Sequence, residues 1–444
     1  MRAFEDGAML VSPIQEGMQQ HARNEFSMRH EVVYDALVLD ARLRQSLVTV
    51  RALGRRGKRV AALEIVDKGE RLHYLPTFSS RWCGRAYIAP TYEHDEEPFR
   101  TYLHQLLEHT QVRVLIPSSD GTLAVLRERR REFERRSCIA LANEASLEAV
   151  INKDTTLAIA QQLGMAVPHG VVVTSVGEVS EALQEIGLPA VVKPVESWLW
   201  GNNQRQGAQG VRLICALVTT PQEAYRAVEE LTVYGGKVLF QQFLSGRREA
   251  VSLLYADGEM YARFAQWAKR TQPPLGGTSV FRQSITLPSD ISAQAERLVR
   301  EIDLEGYSEI EFRRDSAGKP YLMEVNPRLS ASLEVAVRAG IDFPYLLYQW
   351  ASGEKIDRVK GYRVGQWMRY LEGDLLTTMQ TFTQRGRPGV MPPLQAVTEF
   401  LAAFLHPCGY DYFDWSDPLP AWIATLDITH RIVQKMGNSF NKKK

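Results

Sequence analysis

Glu309, Glu311, Glu324, Asn326 and Arg328 are the residues whose types and spacing could do chemistry together. The surrounding pattern predicts two short strands, 309–313 and 320–326, joined by a polar turn containing Asp315, Ser316 and Gly318. Side chains alternate across a strand, so Glu309 and Glu311 share one face; Glu324, Asn326 and Arg328 share another if the extended run continues that far. With the turn centred between Ala317 and Gly318, Glu311 lies opposite Glu324 and Glu309 opposite Asn326. Carboxylates facing each other in a ladder repel, which predicts a cation between them. Mg2+ suits the position, because it binds through one or two carboxylates and keeps substrate phosphates among its ligands. An exposed acidic hairpin is the alternative reading of the same spacing.

Glu311 followed by Glu324-Val-Asn326-Pro-Arg328 resembles the metal-binding hairpin of the ATP-grasp superfamily, and the trailing Leu-Ser-Ala-Ser is similar to its carbamoyl-phosphate synthase large-chain branch. The resemblance implies Glu311, Glu324 and Asn326 as ligands of Mg2+, with Mn2+ as an alternate ion, and Arg328 as a catalytic group that holds an acylphosphate or stabilises an oxyanion. Upstream, Asn152-Lys153-Asp154 opens an amphipathic helix and is similar to the entry of the ATP-grasp domain, which implies that Lys153 reaches the nucleotide phosphates. A solvated lysine at a helix start is the alternative there. Lys193, 40 residues on, leaves a strand through an apolar run and is stopped by Pro194, so it presents a point charge from a rigid element. The resemblance puts it on the α-phosphate.

Between residues 198 and 211 the glycines, among them Gly207 and Gly210, permit backbone N–H groups to approach phosphate oxygens, and the resembled family has a flexible loop here. This version is longer and less glycine-dense, and a tryptophan-anchored surface hairpin remains open. Gln241, Gln242, Phe243 and Leu244 resemble the hinge that pairs with the adenine edge, with Glu249 on the ribose hydroxyls. Most relatives carry glutamate where Gln242 stands, so backbone pairing is expected to matter more than that side chain.

These residues need scaffolding, and 444 residues suffice for about three domains. Alternating strands and helices from residue 32 predict a parallel sheet: strands at 32–39, 59–66 and 112–116, helices at 42–53, 97–108 and 122–133. The fold class expected is α/β and α+β, multidomain. It comprises a flexible extension (1–31), a Rossmann-like pre-ATP-grasp domain (32–145), a two-lobed ATP-grasp domain (146–353; small lobe about 165–240, large lobe about 241–353) and a C-terminal helical extension packing on the core (354–444). Pro117-Ser-Ser-Asp120 sits between a strand and a helix, where open sheets bind ligands; a helix cap by Ser119 or Asp120 is preferred. Residues 269–281, rich in Pro and Gly, read as a loop, and the aromatic-acidic segment 411–420 has no assigned role.

A net charge of +1 gives no reason to expect nucleic acid or an anionic membrane as partner. Scattered cysteines, no spanning apolar run and no signal-peptide pattern point to the cytoplasm. One copy of Glu-Val-Asn-Pro-Arg excludes the internally duplicated synthase. The resemblance implies a carboxylate-amine ligase using ATP and Mg2+ on small-molecule carboxylate and amine substrates, amino-acid or peptide-like, with a homodimer contact open. A phosphotransferase and a non-catalytic ATP-binding module are the alternatives.

Overall fold

The computed structural model describes residues 32–67, 74–203 and 207–441; the expected extension over 1–31 and the terminal lysines 442–444 lie outside them. The first unit alternates β1 (Val32–Val38), α1 (Arg44–Arg55), β2 (Val60–Val66), β3 (Cys83–Pro90), α2 (Glu96–His109), β4 (Thr110–Ile116), α3 (Asp120–Glu128) and β5 (Cys138–Ile139). Its five strands are parallel in the order β3-β2-β1-β4-β5, the arrangement expected of right-handed crossovers feeding one twisted sheet. The strand order reverses between β1 and β4, where Asp40 takes a left-handed backbone (φ 58°) and its carboxylate accepts bonds from Ser118 N (3.0 Å), Ser119 Oγ (3.0 Å) and Thr122 Oγ1 (2.7 Å). Ser119 caps α3 by accepting from Thr122 N at 3.1 Å, which leaves Asp120 free to face elsewhere.

Helices α4 (Glu144–Ile151) and α5 (Lys153–Gln162) lead into the small lobe: β6 (Gly170–Val173), α6 (Val179–Ile186), β7 (Ala190–Pro194), β8 (Trp198–Asn203), β9 (Gly207–Arg212), β10 (Ala216–Val218), α7 (Pro221–Thr232) and β11 (Val238–Gln242). Four strands form an antiparallel sheet in the order β10-β7-β11-β6, while β8 and β9 make a separate hairpin. Ala190, Val192, Val238 and Phe240 bury one face under α6 and α7. Period-two alternation therefore turns Lys193 and Gln241 to the opposite face.

The large lobe holds β12 (Arg248–Ala256), β13 (Glu259–Gln272), β14 (Thr278–Ser284), α8 (Ser289–Ile302), β15 (Gly306–Arg314), β16 (Pro320–Asn326), α9 (Glu334–Ala339) and α10 (Phe343–Ala351). Beyond it come β17 (Trp367–Arg369), α11 (Leu371–Thr383), α12 (Pro393–Ala402), β18 (Gly409–Tyr410) and α13 (Leu419–Asn441). One sheet runs β16-β15-β12-β13-β14-β17-β18. One expectation is corrected here. The stretch 269–281 is mostly strand, because Arg270 is drawn in by the buried Asp374 (2.5 and 2.7 Å), leaving only 273–277 as a turn. The expected C-terminal helices are present, and β17 and β18 also extend the large-lobe sheet.

The aromatic-acidic segment is an ionic fastener. Arg44, Arg51 and Arg55 share a face of α1, and each meets an aspartate of the segment: Arg44 pairs Asp411, Arg51 pairs Asp417 (2.9 Å) and Arg55 pairs Asp414 (2.5 Å). The same aspartates reach the large lobe, Asp411 through Arg282 (2.7 Å) and Asp414 through Arg338 (2.6 Å). Arg282 in turn donates to Ser332 O at 3.2 Å, so the fastener ends beside the hairpin that carries the acidic residues. No helix among the described residues is long and apolar enough to cross a membrane.

Candidate active site

Strands β15 and β16 pair Glu309 with Asn326 and Glu311 with Glu324, as the spacing predicts. The register reaches this result through a bulge: next to the turn Arg313 faces Tyr321, and Met323 is the extra residue that shifts the ladder into the carboxylate pairing. The carboxylates lie in a cleft, not on an exposed hairpin, with Glu309 and Glu311 buried. Glu309 is fully engaged by Gln266 Nε2 (2.9 Å), Ser330 Oγ (2.8 Å) and Ser332 Oγ (3.0 Å), which makes it a support for its neighbours.

Burial, with Glu324 and Glu309 alongside, pushes the Glu311 carboxyl up to about 7 against the pull of Arg248. Burial acts on Glu324 too, but Lys153, Lys193 and Arg248 overcome it and hold that carboxyl below its ordinary value. The expected cation is thus partly supplied by the chain itself: Arg248 Nη2 donates to Glu311 Oε2 at 2.5 Å. Arg248 was not singled out from the sequence. Its signal is parity, since Arg248, Ala250 and Ser252 alternate onto the face of Glu309 and Glu311.

Lys153 and Lys193 both converge on Glu324, and Lys153 Nζ is fixed by Ser197 Oγ at 2.8 Å. Arg328 forms a two-pronged pair with Asp120 (2.6 and 3.0 Å), joining the carboxylate hairpin to the start of α3. Burial would raise the Asp120 carboxyl, yet Arg328, Arg212 and Lys153 hold it down at about 2. Of the two residues expected to cap this helix, Ser119 does so, and Asp120 turns to Arg328 instead.

Other expected residues are placed differently. Gly210 does not offer its N–H to a ligand: it donates to Glu93 O (2.7 Å), and a Cβ there would meet the Trp198 and Trp200 rings, so the glycine accommodates indoles. Gly207 pairs with Asn203 at the end of the hairpin, whose tip, 204–206, lies outside the described residues. This is the tryptophan-anchored alternative. Glu249 shares the face of Phe312 and Trp267, opposite to that of Glu311, and is held by Arg314 (2.7 Å) and Arg247 (3.0 Å); the structure does not bring it to the carboxylate pair. In the segment expected to form the hinge, Gln242 N is committed to His169 O (2.9 Å) and Leu244 O to Arg313 (2.7 Å), whereas the Phe243 backbone has no such bond among the described residues. Gln241 is buried with its Oε1 unpaired, on the face it shares with Lys193.

That orphaned oxygen and the lysine beside it fit a nucleotide, with an amide acceptor for a base amine and a cation for the phosphate tail. Among the described residues no three His, Cys, Asp or Glu side chains form a metal cluster. Two carboxylates and an amide nevertheless suit Mg2+, whose remaining ligands come from substrate phosphates and water.

Residues 237–373 match the family model described as ATP-grasp in the biosynthetic pathway with Ter operon. The chain is 26% identical to the carbamoyl phosphate synthase large chain of Deinococcus radiodurans over 188 residues, 41% of this chain and 17% of that one. It is likewise 26% identical to D-alanine–D-alanine ligase B of Pseudomonas putida over 215 residues, 44% of this chain and 62% of the relative. The matched region thus spans less than two thirds of either relative. Among solved structures, the L-amino acid ligase of Bacillus licheniformis superposes with a TM-score of 0.54 at 20% identity, covering 74% of this chain and 76% of that one, which is a likeness of fold. Hairpin register and these likenesses point the same way: over residues 237–373 the chain is similar to an ATP-grasp family model, and it shares its fold with a solved ligase structure.

Proposed function

We propose that this chain is an ATP-dependent ligase that activates a carboxylate as an acylphosphate and joins it to an amine, releasing ADP and phosphate. The observation that carries the reading is that the charges of Lys153 and Lys193 both act on Glu324, which the hairpin register sets opposite Glu311 and two residues from Asn326. Lys193 and Gln241 hold the nucleotide, and Lys153, fixed by Ser197, neutralises its phosphates. Glu311, Glu324 and Asn326 would hold Mg2+, which would supply neutralisation of phosphate charge. The carboxylate substrate attacks the γ-phosphorus, the bond to the ADP oxygen breaks, and Arg328 stabilises the acylphosphate and the tetrahedral oxyanion that forms from it. The amine then forms the C–N bond as phosphate departs. Asp120 fixes the guanidinium plane and keeps Arg328 aimed across the cleft.

A cytoplasmic setting belongs to this proposal and is supported by unpaired Cys83, Cys138, Cys215 and Cys408. A second copy of the chain is the partner proposed, supported by exposed Met379, Phe382, Leu394, Leu401 and Leu405 on and beside the packed pair α11 and α12. The test of function is ADP release by the full chain with Mg-ATP against pools of carboxylates, with and without pooled amines. Release requiring both pools supports a ligase. Release with carboxylate alone favours a phosphotransferase, and ATP binding without release under any mixture favours a regulatory module.

A further inference from the structure

A cavity of about 490 Å³ opens beside Lys153 and Glu324 and runs back between α3, α4 and the β8–β9 hairpin. Nothing in the nucleotide or metal reading uses its far end. The cavity lining is unbalanced in charge: Asp120, Glu128, Glu144, Glu196 and Glu324 stand with two cations, Arg127 and Lys153. Arg127 is itself committed to Glu144 at 2.5 Å. Glu196 makes no hydrogen bond or ion pair of its own with a described residue, although its charge acts on Arg127, and it immediately precedes Ser197, whose hydroxyl fixes Lys153. A carboxylate without a bonded counter-charge therefore stands next to the serine that holds Lys153. The lining also includes an aromatic pair, Trp198 and Trp200, meeting edge to face at 5.7 Å. Trp198 is only 8% exposed and its indole N–H has no partner among the described residues, so a buried donor on the cavity wall lacks an acceptor.

Resting on the ligase reading, the geometry points to this cavity as the acceptor subsite, taking a primary amine that also carries a neutral carbonyl oxygen and an apolar side chain: an aminoacyl amide or the N-terminus of a peptide. Glu196 holds the ammonium, the indole wall takes the apolar group, and the Trp198 N–H is matched by the carbonyl. A free carboxylate on the acceptor is disfavoured by the acidic lining, as like charge in a confined site is repelled.

The test is direct binding to the full chain without ATP, read by tryptophan fluorescence and calorimetry, using L-phenylalaninamide, N-acetyl-L-phenylalaninamide and N-acetyl-L-phenylalanine as probes. L-phenylalaninamide is expected to bind, the two acetylated probes at least tenfold more weakly, and Glu196→Gln to weaken L-phenylalaninamide at least tenfold. Glu196 is half-buried on the β7–β8 turn, so the variant folds, and Trp200→Leu provides a second wall variant expected to weaken the same probe. Equal binding of the acetylated probes, or affinity indifferent to Glu196→Gln, overturns the assignment. The two readings fail separately. Amine-dependent ADP release with no charge preference in the cavity sinks the subsite and leaves the ligase standing. Charge-selective binding with ADP release that ignores amines sinks the ligase and leaves a cation-binding cavity.

Discussion

Asp411→Ala is expected to be the costliest single change in the C-terminal segment. Its carboxylate faces two guanidiniums, Arg44 at 8% exposure and Arg282 at 0%. Burial would raise the Asp411 carboxyl, but Arg282 and Arg44 hold it below its ordinary value, so it is charged in the folded protein. Removing it leaves both cations buried without a counter-charge, and breaking such a pair from one side costs about 3–5 kcal/mol. With two partners stranded, the upper end of that range is expected. Asp414 is the internal control, because Arg55 and Arg338 are 32% and 33% exposed and water compensates them. Asp414→Ala should therefore cost about 1 kcal/mol. In thermal denaturation of a chain this long, the difference reads as a fall in Tm of roughly 5–10 °C for Asp411→Ala and about 1–2 °C for Asp414→Ala. Replacing Arg44, Arg282 and Asp411 together by apolar residues should recover part of the loss, since the buried charges go with their counter-charge. Equal losses for the two aspartates would refute the reasoning that burial sets the cost.

Glu324→Ala and Glu311→Gln are each expected to remove Mg-dependent ATP turnover while circular dichroism stays native; full turnover in either would move the metal elsewhere. Arg328→Ala should lower capture of the activated carboxylate more than ATP affinity, and equal loss in both would demote the residue to a structural tie to Asp120. The Asp120 carboxyl sits at about 2, below its ordinary 3.8, so its contribution of about 2 kcal/mol is present above about pH 4 and lost as pH falls toward 2. Urea titrations of the wild type and Asp120→Asn should converge at acid pH, and parallel pH profiles would remove Asp120 as the cause.

The hairpin was the most legible part of the molecule, because alternation and a short turn fix which carboxylates meet, and the Met323 bulge leaves that pairing as expected. Lys153 and Lys193 stand out through the family resemblance, since a lysine at a helix start or a strand end reads by itself as a solvated surface residue. Direction was harder to read than position. Glu249 and Arg248 are adjacent, and only the pairing of β12 with β15 decides which faces Glu311. Gly210 looked like phosphate-binding backbone, yet its constraint is a tryptophan ring from the same hairpin. The fastener was illegible for a different reason: Arg51 and Asp417 are separated by 366 residues, and no local pattern connects an arginine-bearing helix face to an acidic turn so far away.

Phosphate released during turnover with a carboxylate substrate labelled with 18O tests the central claim most directly. The acylphosphate route transfers a single labelled oxygen from the carboxylate to each phosphate, because the carboxylate oxygen becomes the bridging atom and leaves with phosphorus when the amine attacks. That is the expected result. Unlabelled phosphate, from turnover that still consumes both substrates, would contradict activation of the carboxylate by ATP and with it the proposed chemistry of the site.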